Sequence, residues 1–401
     1  MNRIFGLAFA AGVLCCGTAS AQVSDGVVKL GVLNDMSSLY ADIGGRGSVL
    51  AAQMAVEDFG GKMLGAPIEI VSGDHQNKPD IGAGIARKWI DTDRVDAIVD
   101  VPTSSVALAI QQVTREKKRL FVGPASSDLT GKACSPYGIQ WTYDTYALAH
   151  GTGGALVKQG GDSWFFITAD YAFGHALERD TGDAVKAAGG KVVGAVRAPL
   201  NTSDFSSFLL QAQASKAKVI GLANAGGDTI NSIKQASEFG IVSSGQKLAG
   251  LLVFLTDVHS LGLKTAQGLT ITSAWYWDKD DASRAFAKRF MARNPNGMPP
   301  TYTQAGVYTE VAQYLKAIQA AGTDDADKVV AQLRNMKIND FMTKDGWLRE
   351  DGRVMRDMYL EEVKSPTESK YPFDYFKILA TIPADQAFRP LKDGGCPLVH
   401  G

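Results

Sequence analysis

Short apolar segments with strand character alternate with amphipathic segments of helical period along most of this chain. The first unit pairs an apolar run at residues 28–33 with a segment at 47–59 whose apolar residues recur at helical spacing. This series closes at residues 120–122, and the same pattern restarts at residues 164–168. Alternating strands and helices predict a parallel sheet that is covered by helices on both faces. The two series therefore predict an α/β protein with two doubly wound parallel-sheet lobes.

The order of these elements also predicts how the chain is divided between the lobes. The length of 401 residues exceeds what one hydrophobic core comfortably holds. Two late helices and two late strands follow the second series, which indicates a long C-terminal return. The expected division is a first lobe at 22–144 and 277–352, a second lobe at 145–276 and 353–390, and a C-terminal tail at 391–401.

The N-terminus predicts export from the cytoplasm. Asn2 and Arg3 form a charged start, residues 4–16 are apolar, and the segment closes with an Ala-x-Ala pattern at 19–21. The apolar run is too short to span a bilayer. Residues 1–21 are therefore expected to be a signal peptide that is removed from the mature protein.

The composition excludes several function classes. The formal net charge is −1, and 45% of the residues are hydrophobic, as in an ordinary globular protein. This charge balance points neither to nucleic acid nor to an anionic membrane surface as a partner.

Two cysteines are expected to remain after export, because Cys15 and Cys16 leave with the signal peptide. Thiols in an oxidising compartment most often pair. We therefore predict that Cys134 and Cys396 form a disulfide that ties the tail to the first lobe, with two free thiols as the alternative.

Signatures of catalysis are absent from the sequence. It contains no Gly-x-Ser-x-Gly, no His-Glu-x-x-His and no phosphate-binding Gly-Lys-Ser/Thr motif. The Gly-rich stretch at 225–228 lacks dinucleotide spacing and predicts a tight turn, and the carboxylates at 278–281 predict a solvated turn. The sequence therefore indicates neither an enzyme nor a metal site, and no cofactor is expected.

Two junctions between a strand and a helix offer hydrogen-bond donors at one edge of the predicted sheet. Residues 102–105 include Thr103 and Ser104 at a helix start, where free N–H groups and the helix dipole favour a carboxylate. The alternative is that Ser104 only caps its helix. Residues 123–127 supply further N–H and hydroxyl donors after the next strand.

Eight aromatic residues fall in loop-like positions. Successive side chains of a strand point to opposite faces, so the run at 275–277 cannot lie entirely in one core. Some of this aromatic surface is therefore expected to line a cleft, with core packing as the alternative for each ring. The eight residues are Tyr40, Trp141, Tyr143, Tyr171, Phe173, Trp275, Tyr276 and Trp277.

Six short motifs follow one another in a characteristic order. They lie at 31–37, 74–79, 121–127, 169–174, 204–205 and 266–269. Together they resemble the periplasmic solute-binding proteins of ABC importers, in the branched-chain-amino-acid-binding group with the type I fold. The resemblance implies two lobes that close about a three-strand hinge on a small molecule, as in a Venus flytrap, and then dock on a membrane permease. It also implies a periplasmic location and a monomer.

The resemblance implies particular ligand-binding residues. In that family a Ser at the start of the third helix and a Thr after the next strand hold the ligand carboxylate. Ser104 and Ser127 match these positions, the Ala125 N–H lies beside them, and Phe173 matches an aromatic residue of the second lobe. The full set of expected ligand-binding residues is Thr103, Ser104, Ala125, Ser127, Trp141, Tyr143, Tyr171, Phe173, Ala225, Leu252 and Asp257.

One departure from the family bears on the ligand. Amino-acid binders of this group use a Glu of the second lobe to pair with the ligand ammonium, and Leu251 or Leu252 stands at that position. A buried ammonium without a carboxylate is costly. Asp257 is either a substitute partner or a helix cap, and Ala225 replaces a second aromatic residue and enlarges the cavity. The resemblance therefore favours a carboxylate without an α-amino group, such as an aromatic or keto acid, over a branched-chain or other amino acid.

Two further function classes stay open at this point. An extracellular sensor domain would share the fold and the ligand site. A secreted α/β enzyme is a second alternative, although no nucleophile–base pair is evident in the sequence.

Overall fold

The computed structural model describes residues 23–400, so the predicted signal peptide at 1–21 lies outside the described residues. Between residues 23 and 400, no helix is both long enough and apolar enough to cross a bilayer.

The strands are β1 (Val28–Asn34), β2 (Lys62–Met63), β3 (Ala66–Asp74), β4 (Ala97–Val99), β5 (Leu120–Ala125), β6 (Gly138–Asp144), β7 (Ser163–Ala169), β8 (Lys191–Ala198), β9 (Val219–Ala223), β10 (Lys247–Gly250), β11 (Thr270–Ser273), β12 (Trp347–Leu348), β13 (Val354–Met355), β14 (Met358–Val363) and β15 (Phe376–Ile382). The α-helices are α1 (Gly45–Asp58), α2 (Pro79–Asp91), α3 (Ser104–Lys117), α4 (Thr145–Lys158), α5 (Ala172–Ala187), α6 (Ser206–Ala214), α7 (Gly227–Glu238), α8 (Leu255–Leu261), α9 (Leu263–Ala266), α10 (Asp281–Met291), α11 (Tyr302–Ala321), α12 (Ala326–Asn335) and α13 (Ala384–Ala387).

A six-stranded sheet forms the core of the first lobe, in the order β2-β3-β1-β4-β5-β6. Its strands run parallel, except that β2 pairs with β3 in the antiparallel sense. Successive side chains of the central strands face opposite layers of helices. Ile98 and Phe121 pack on the side of α2 and α3, whereas Val99 and Val122 pack on the side of α1 and α11. Burial on both faces explains why these strands are continuous apolar runs in the sequence.

A four-stranded parallel sheet, β10-β9-β7-β8, forms the core of the second lobe. Trp164 and Phe166 face the apolar sides of α4 and α5, whereas Ile167 and Ile220 face α6 and α7. A separate antiparallel sheet, β11-β14-β15, lies beside α4. The predicted α/β fold with two parallel-sheet lobes is confirmed.

The chain passes between the two lobes at three places. The first passage lies where β6 ends at Asp144 and α4 begins at Thr145. The second follows β11, at residues 274–280, and the third joins β13 to β14 at residues 356–357. The lobe limits expected from the sequence stay a prediction.

Two arginines next to the third passage bind the backbone of the other two. The Arg353 guanidinium donates to the carbonyl oxygens of Trp141, at 3.0 Å, and Thr142, at 2.6 Å, just before the first passage. The Arg356 guanidinium donates to the Ala274 carbonyl oxygen, at 3.0 Å, in the second passage. Both guanidinium groups are buried, so the three connections are held together away from water.

The C-terminal tail returns from the second lobe to the first. It leaves α13, which packs on α4, and places the Phe388 ring in the core. The Arg389 guanidinium then donates to the Ser127 carbonyl oxygen at 2.9 Å. The predicted disulfide between Cys134 and Cys396 is present, with a Cα–Cα distance of 5.6 Å. The tail is therefore fastened covalently to the first lobe.

Replacing both cysteines with serine should destabilise the folded protein, because Cys134 and Cys396 are 262 residues apart in the sequence. Loss of a native disulfide typically lowers the free energy of unfolding by about 2–5 kcal/mol. Urea unfolding with and without reductant checks this expectation. Reductant should lower the midpoint of the native protein to that of the serine variant and leave the variant unchanged. A native midpoint that does not respond to complete reduction contradicts it.

Candidate functional site

Loops at the carboxyl ends of strands from both lobes meet around a small cavity. Five of the residues expected from the sequence line it: Tyr143, Tyr171, Phe173, Ala225 and Leu252. Three further lining residues, Tyr40, Ile43 and Pro102, come from loops of the first lobe. In this closed structure the free space between these residues is about 10 Å³, room for roughly one water molecule.

The loop after β1 places Tyr40 in the cavity. The Asp35 carboxylate accepts hydrogen bonds from the Ser38 N–H, at 2.9 Å, and from the Tyr40 N–H, at 2.8 Å. It also accepts one from the Asn77 side-chain amide, at 2.7 Å. One buried carboxylate therefore fixes the path of the loop and the position of its tyrosine.

The same loop touches the second lobe. The Tyr40 and Tyr171 hydroxyl oxygens lie 2.6 Å apart and form a hydrogen bond across the cleft. Gly226, with φ +55°, lies so close that a Cβ atom there would be 2.6 Å from the Leu39 carbonyl oxygen. The lobes are therefore closed on one another, and glycine is required where the two backbones meet.

The cavity presents neutral polar groups. Burial raises the pKa of Tyr40, Tyr143 and Tyr171 well above the ordinary value for tyrosine, so these phenols carry their protons at any physiological pH. No residue in the described lining has a charged side chain. The site can therefore donate hydrogen bonds to a ligand but offers no carboxylate to a cation.

Strained backbone marks the strand ends on the first-lobe side. Asp100 and Val101, directly after β4, have φ values of 66° and 99°, and Ala125 at the end of β5 has φ 132°. Non-glycine residues rarely adopt positive φ, and a β-branched residue does so least of all. The Asp100 carboxylate, which accepts a 2.6 Å hydrogen bond from the Asn34 amide, helps to hold this conformation. Strain of this kind clusters at ligand sites.

The predicted hydroxyl ligands hold neighbouring loops together. Ser104 Oγ accepts a 3.0 Å hydrogen bond from the Ser126 N–H, and it therefore joins the two donor-rich junctions rather than capping α3. Ser127 Oγ donates to the Asp180 carboxylate at 2.8 Å, which links the first lobe to α5. The Thr103 hydroxyl donates to the Asn77 amide oxygen. None of these residues is in the described lining, and their role as carboxylate ligands stays a prediction.

Three other expected residues, Ala125, Trp141 and Asp257, also lie outside the lining. Trp141 Nε1 donates to Thr309 Oγ1 at 2.7 Å, so the ring packs against α11. The Asp257 carboxylate accepts a 2.8 Å hydrogen bond from the Phe254 N–H at the start of α8, and burial raises the pKa of Asp257 to about 7. Of the two leucines, Leu252 lines the cavity.

Ile43 is a lining residue that sequence reasoning missed, because its position follows from the loop that the Asp35 carboxylate holds in place. Tyr40 is one of the eight aromatic residues in loop-like positions, and Pro102 belongs to the junction at 102–105. The sequence therefore predicted both residues in part. Across the described part of the chain, no three His, Cys, Asp or Glu side chains are grouped to hold a metal ion.

The sequence profile of a family described as periplasmic binding proteins matches residues 27–369. A Leu/Ile/Val-binding protein homologue of Brucella melitensis is 25% identical over 366 residues, which cover 88% of this chain and 91% of that protein.

Several solved structures are similar to this chain. A periplasmic binding protein of Burkholderia mallei is 55% identical, with a TM-score of 0.91 over 93% of this chain and 99% of its own. A periplasmic ligand-binding protein of a branched-chain amino acid ABC transporter, from Burkholderia xenovorans LB400, is 45% identical, with a TM-score of 0.82 over 92% and 99%. A solute-binding protein of an ABC transporter from Rhodopseudomonas palustris HaA2, solved with p-hydroxybenzoic acid, is 25% identical, with a TM-score of 0.80 over 89% and 97%. The chain therefore belongs to the periplasmic binding protein family, and it is a periplasmic solute-binding protein of the ABC transporter class and not an enzyme.

Proposed function

We propose that this protein binds a small carboxylate that lacks an α-ammonium group, such as an aromatic acid or a 2-oxo acid. Proteins of this class bind small molecules and work with membrane permeases. In our proposal the lobes close on the acid as a monomer, and the closed form delivers it to the permease.

The observation that carries the proposal is the apolar surface that the second lobe presents to the cavity. Leu252 and Ala225 lie there, with Phe173 beside them. An ammonium group enclosed by such residues would lose its hydration without gaining a counter-charge. An aromatic or branched apolar body would instead replace water along this surface at no such cost.

Hydrogen-bond donors on the opposite side suit a carboxylate. Pro102 lies two residues before the start of α3, whose first N–H groups, at residues 104–106, have no carbonyl partner within the helix. The positive end of the helix dipole favours an anion at this point. The neutral hydroxyl groups of Tyr40, Tyr143 and Tyr171 add donors around the same cavity.

The Rhodopseudomonas palustris protein that was solved with p-hydroxybenzoic acid supports the aromatic member of this ligand class. The second candidate is a branched-chain amino acid, which the name of the Burkholderia xenovorans transporter favours. Asp257 is the nearest carboxylate that the sequence offered for the ammonium, but it is occupied at the start of α8.

Calorimetric titration with matched pairs of acids tests the proposal. A 2-oxo acid should bind more tightly than the 2-amino acid of the same skeleton, for example 4-hydroxyphenylpyruvate more tightly than tyrosine. The physical reason is the unpaired ammonium, whose burial typically costs several kcal/mol. Micromolar binding of leucine together with no binding of its oxo analogue overturns the proposal and makes a branched-chain amino acid the ligand.

Leu252→Glu should reverse the preference within such a pair, because it puts a carboxylate where the amino acid's ammonium would lie. Leu252→Gln is the matched control, since it has similar size and polarity but no charge. We expect the ratio of amino-acid to oxo-acid affinity to rise at least about tenfold in the Glu variant relative to the Gln variant, which equals about 1.4 kcal/mol. Equal ratios in the two variants show that residue 252 does not face the ligand's α-substituent.

Removal of either hydroxyl of the pair across the cleft should weaken ligand binding. Tyr40→Phe and Tyr171→Phe each delete the 2.6 Å hydrogen bond, and a neutral hydrogen bond contributes about 0.5–1.5 kcal/mol. We expect a roughly twofold to tenfold loss of affinity in each single variant and no further loss in the double variant, because both changes remove one interaction. Tyr146→Phe, outside the cavity, is the control. Additive losses mean that each hydroxyl contacts the ligand separately.

A further inference from the structure

A polar network joins the two lobes beside the first passage of the chain. Ser127 and Asp128, in the turn after β5, belong to the first lobe, whereas Arg179 and Asp180 lie on α5 of the second lobe. Thr145, where α4 begins, completes the network. We call these five residues the interlobe network. None of them lines the small cavity, so the network joins the lobes at a separate place.

Ser127 makes three hydrogen bonds, each to a different part of the chain. Its N–H donates to Thr145 Oγ1 at 3.0 Å, next to the first passage. Its carbonyl oxygen accepts from the Arg389 guanidinium at 2.9 Å, in the C-terminal tail. Its hydroxyl donates to the Asp180 carboxylate at 2.8 Å, on α5. Both polar groups of its backbone are therefore fixed, and its hydroxyl reaches the second lobe.

Asp180 receives this hydroxyl in a buried position. Its side chain is 6% exposed and also accepts hydrogen bonds from Thr145 Oγ1, at 2.6 Å, and from Arg179 Nε, at 2.9 Å. A hydrogen bond to an ionised group is roughly twice as strong as one between neutral groups. The contact between Ser127 and Asp180 is therefore stronger than the neutral tyrosine pair across the cleft.

Arg179 extends the network to the surface. Its guanidinium lies 2.9 Å from Asp180 Oδ1 in its own lobe and 3.3 Å from Asp128 Oδ1 in the other lobe. The Arg179 and Asp128 side chains are 46% and 34% exposed, so salt screens their attraction, whereas the buried hydrogen bond of Asp180 is screened much less. The network therefore combines a salt-sensitive contact with a salt-resistant one.

We propose that the interlobe network is a latch that stabilises the closed conformation before a ligand binds, with Asp180 positioning the second lobe through Ser127. Opening of the cleft separates the turn after β5 from α5, and water then replaces the contacts between them. The difference in free energy raises the closed population of the ligand-free protein. The latch goes beyond the proposed function, because it acts whichever acid binds and its test needs no acid.

The latch also bears on the role of Ser127. A serine hydroxyl has a single proton to donate. While Asp180 accepts that hydrogen bond, Ser127 cannot donate it to the carboxylate of a ligand. In the closed conformation Ser127 is therefore a positioning residue, and a bound carboxylate depends on other donors.

Small-angle X-ray scattering of the whole, ligand-free protein tests the latch, because opening increases the radius of gyration. Asp180→Asn keeps the size of the side chain but removes its charge, and the ratio of closed to open molecules should fall about tenfold or more, as for the loss of one charge-assisted hydrogen bond. Asp183→Asn is the matched control, since Asp183 is an exposed residue of the same helix that pairs with Lys186, 3.6 Å away, in the same lobe. The control should scatter like the native protein. Equal curves for the native and Asp180→Asn proteins, or equal shifts in both variants, overturn the proposal.

Ser127→Ala supplies the second arm, because it removes the other end of the same hydrogen bond. It should open the ligand-free protein in the same direction. The double variant with Asp180→Asn should open it no further than Asp180→Asn alone, since contacts within one network are not additive. Additive shifts mean that the two residues act separately, and they overturn the pairing of Ser127 with Asp180.

Sodium chloride tests the contact at the surface. Added salt should lower the closed fraction of the native protein and leave that of Arg179→Gln unchanged, because this variant lacks the ion pair with Asp128. A native protein that does not respond to salt, or a variant that responds equally, overturns the role of Arg179 in the latch.

Discussion

The buried guanidinium groups of Arg353 and Arg356 are the interaction on which the two-lobed arrangement depends. Three chain segments run side by side between the lobes; β11 and β14, next to the second and third passages, pair in one sheet, whereas the first passage lies outside that sheet. Carbonyl oxygens of the first and second passages, such as those of Thr142 and Ala274, would lie buried without partners if these two side chains were removed. Arginine suits this task, because one planar head carries several donors in fixed directions.

Burying the two guanidinium groups is energetically unfavourable, because each charge loses its hydration. Burial lowers the pKa of Arg353 to about 10, and Asp144, 3.4 Å away, provides partial compensation. Removing one member of a buried pair typically costs about 3–5 kcal/mol, since it leaves the other charge alone. The hinge is therefore an electrostatically demanding region, in which each buried charge depends on its partner.

The contacts across the cleft beside the cavity are weaker. The hydroxyl pair of Tyr40 and Tyr171 is a single neutral hydrogen bond, and nearby the Gly227 N–H donates to the Leu39 carbonyl oxygen at 3.5 Å. A neutral hydrogen bond contributes about 0.5–1.5 kcal/mol, which is too little to fix one state. A ligand that touches both lobes can therefore shift the population of closed molecules strongly.

The sequence predicted the fold because strands buried on both faces are continuous apolar runs, as at Ile98 and Val99, and these runs alternate along the chain with segments of helical period. It predicted part of the cavity because strand ends meet at one edge of a parallel sheet. It could not predict the partners of the buried hydroxyl groups. Ser127 meets Asp180, 53 residues later, and Trp141 meets Thr309, so these contacts exist only once the lobes have assembled.

The disulfide has a consequence for the topology of the whole chain. Joined at Cys134 and Cys396, the backbone between them becomes a closed ring that contains every strand of the second lobe and all three passages. The ring can close only after Cys396 has reached an oxidising compartment. Once closed, it keeps the two ends of the second lobe's chain tethered to the first lobe even when the second lobe is unfolded.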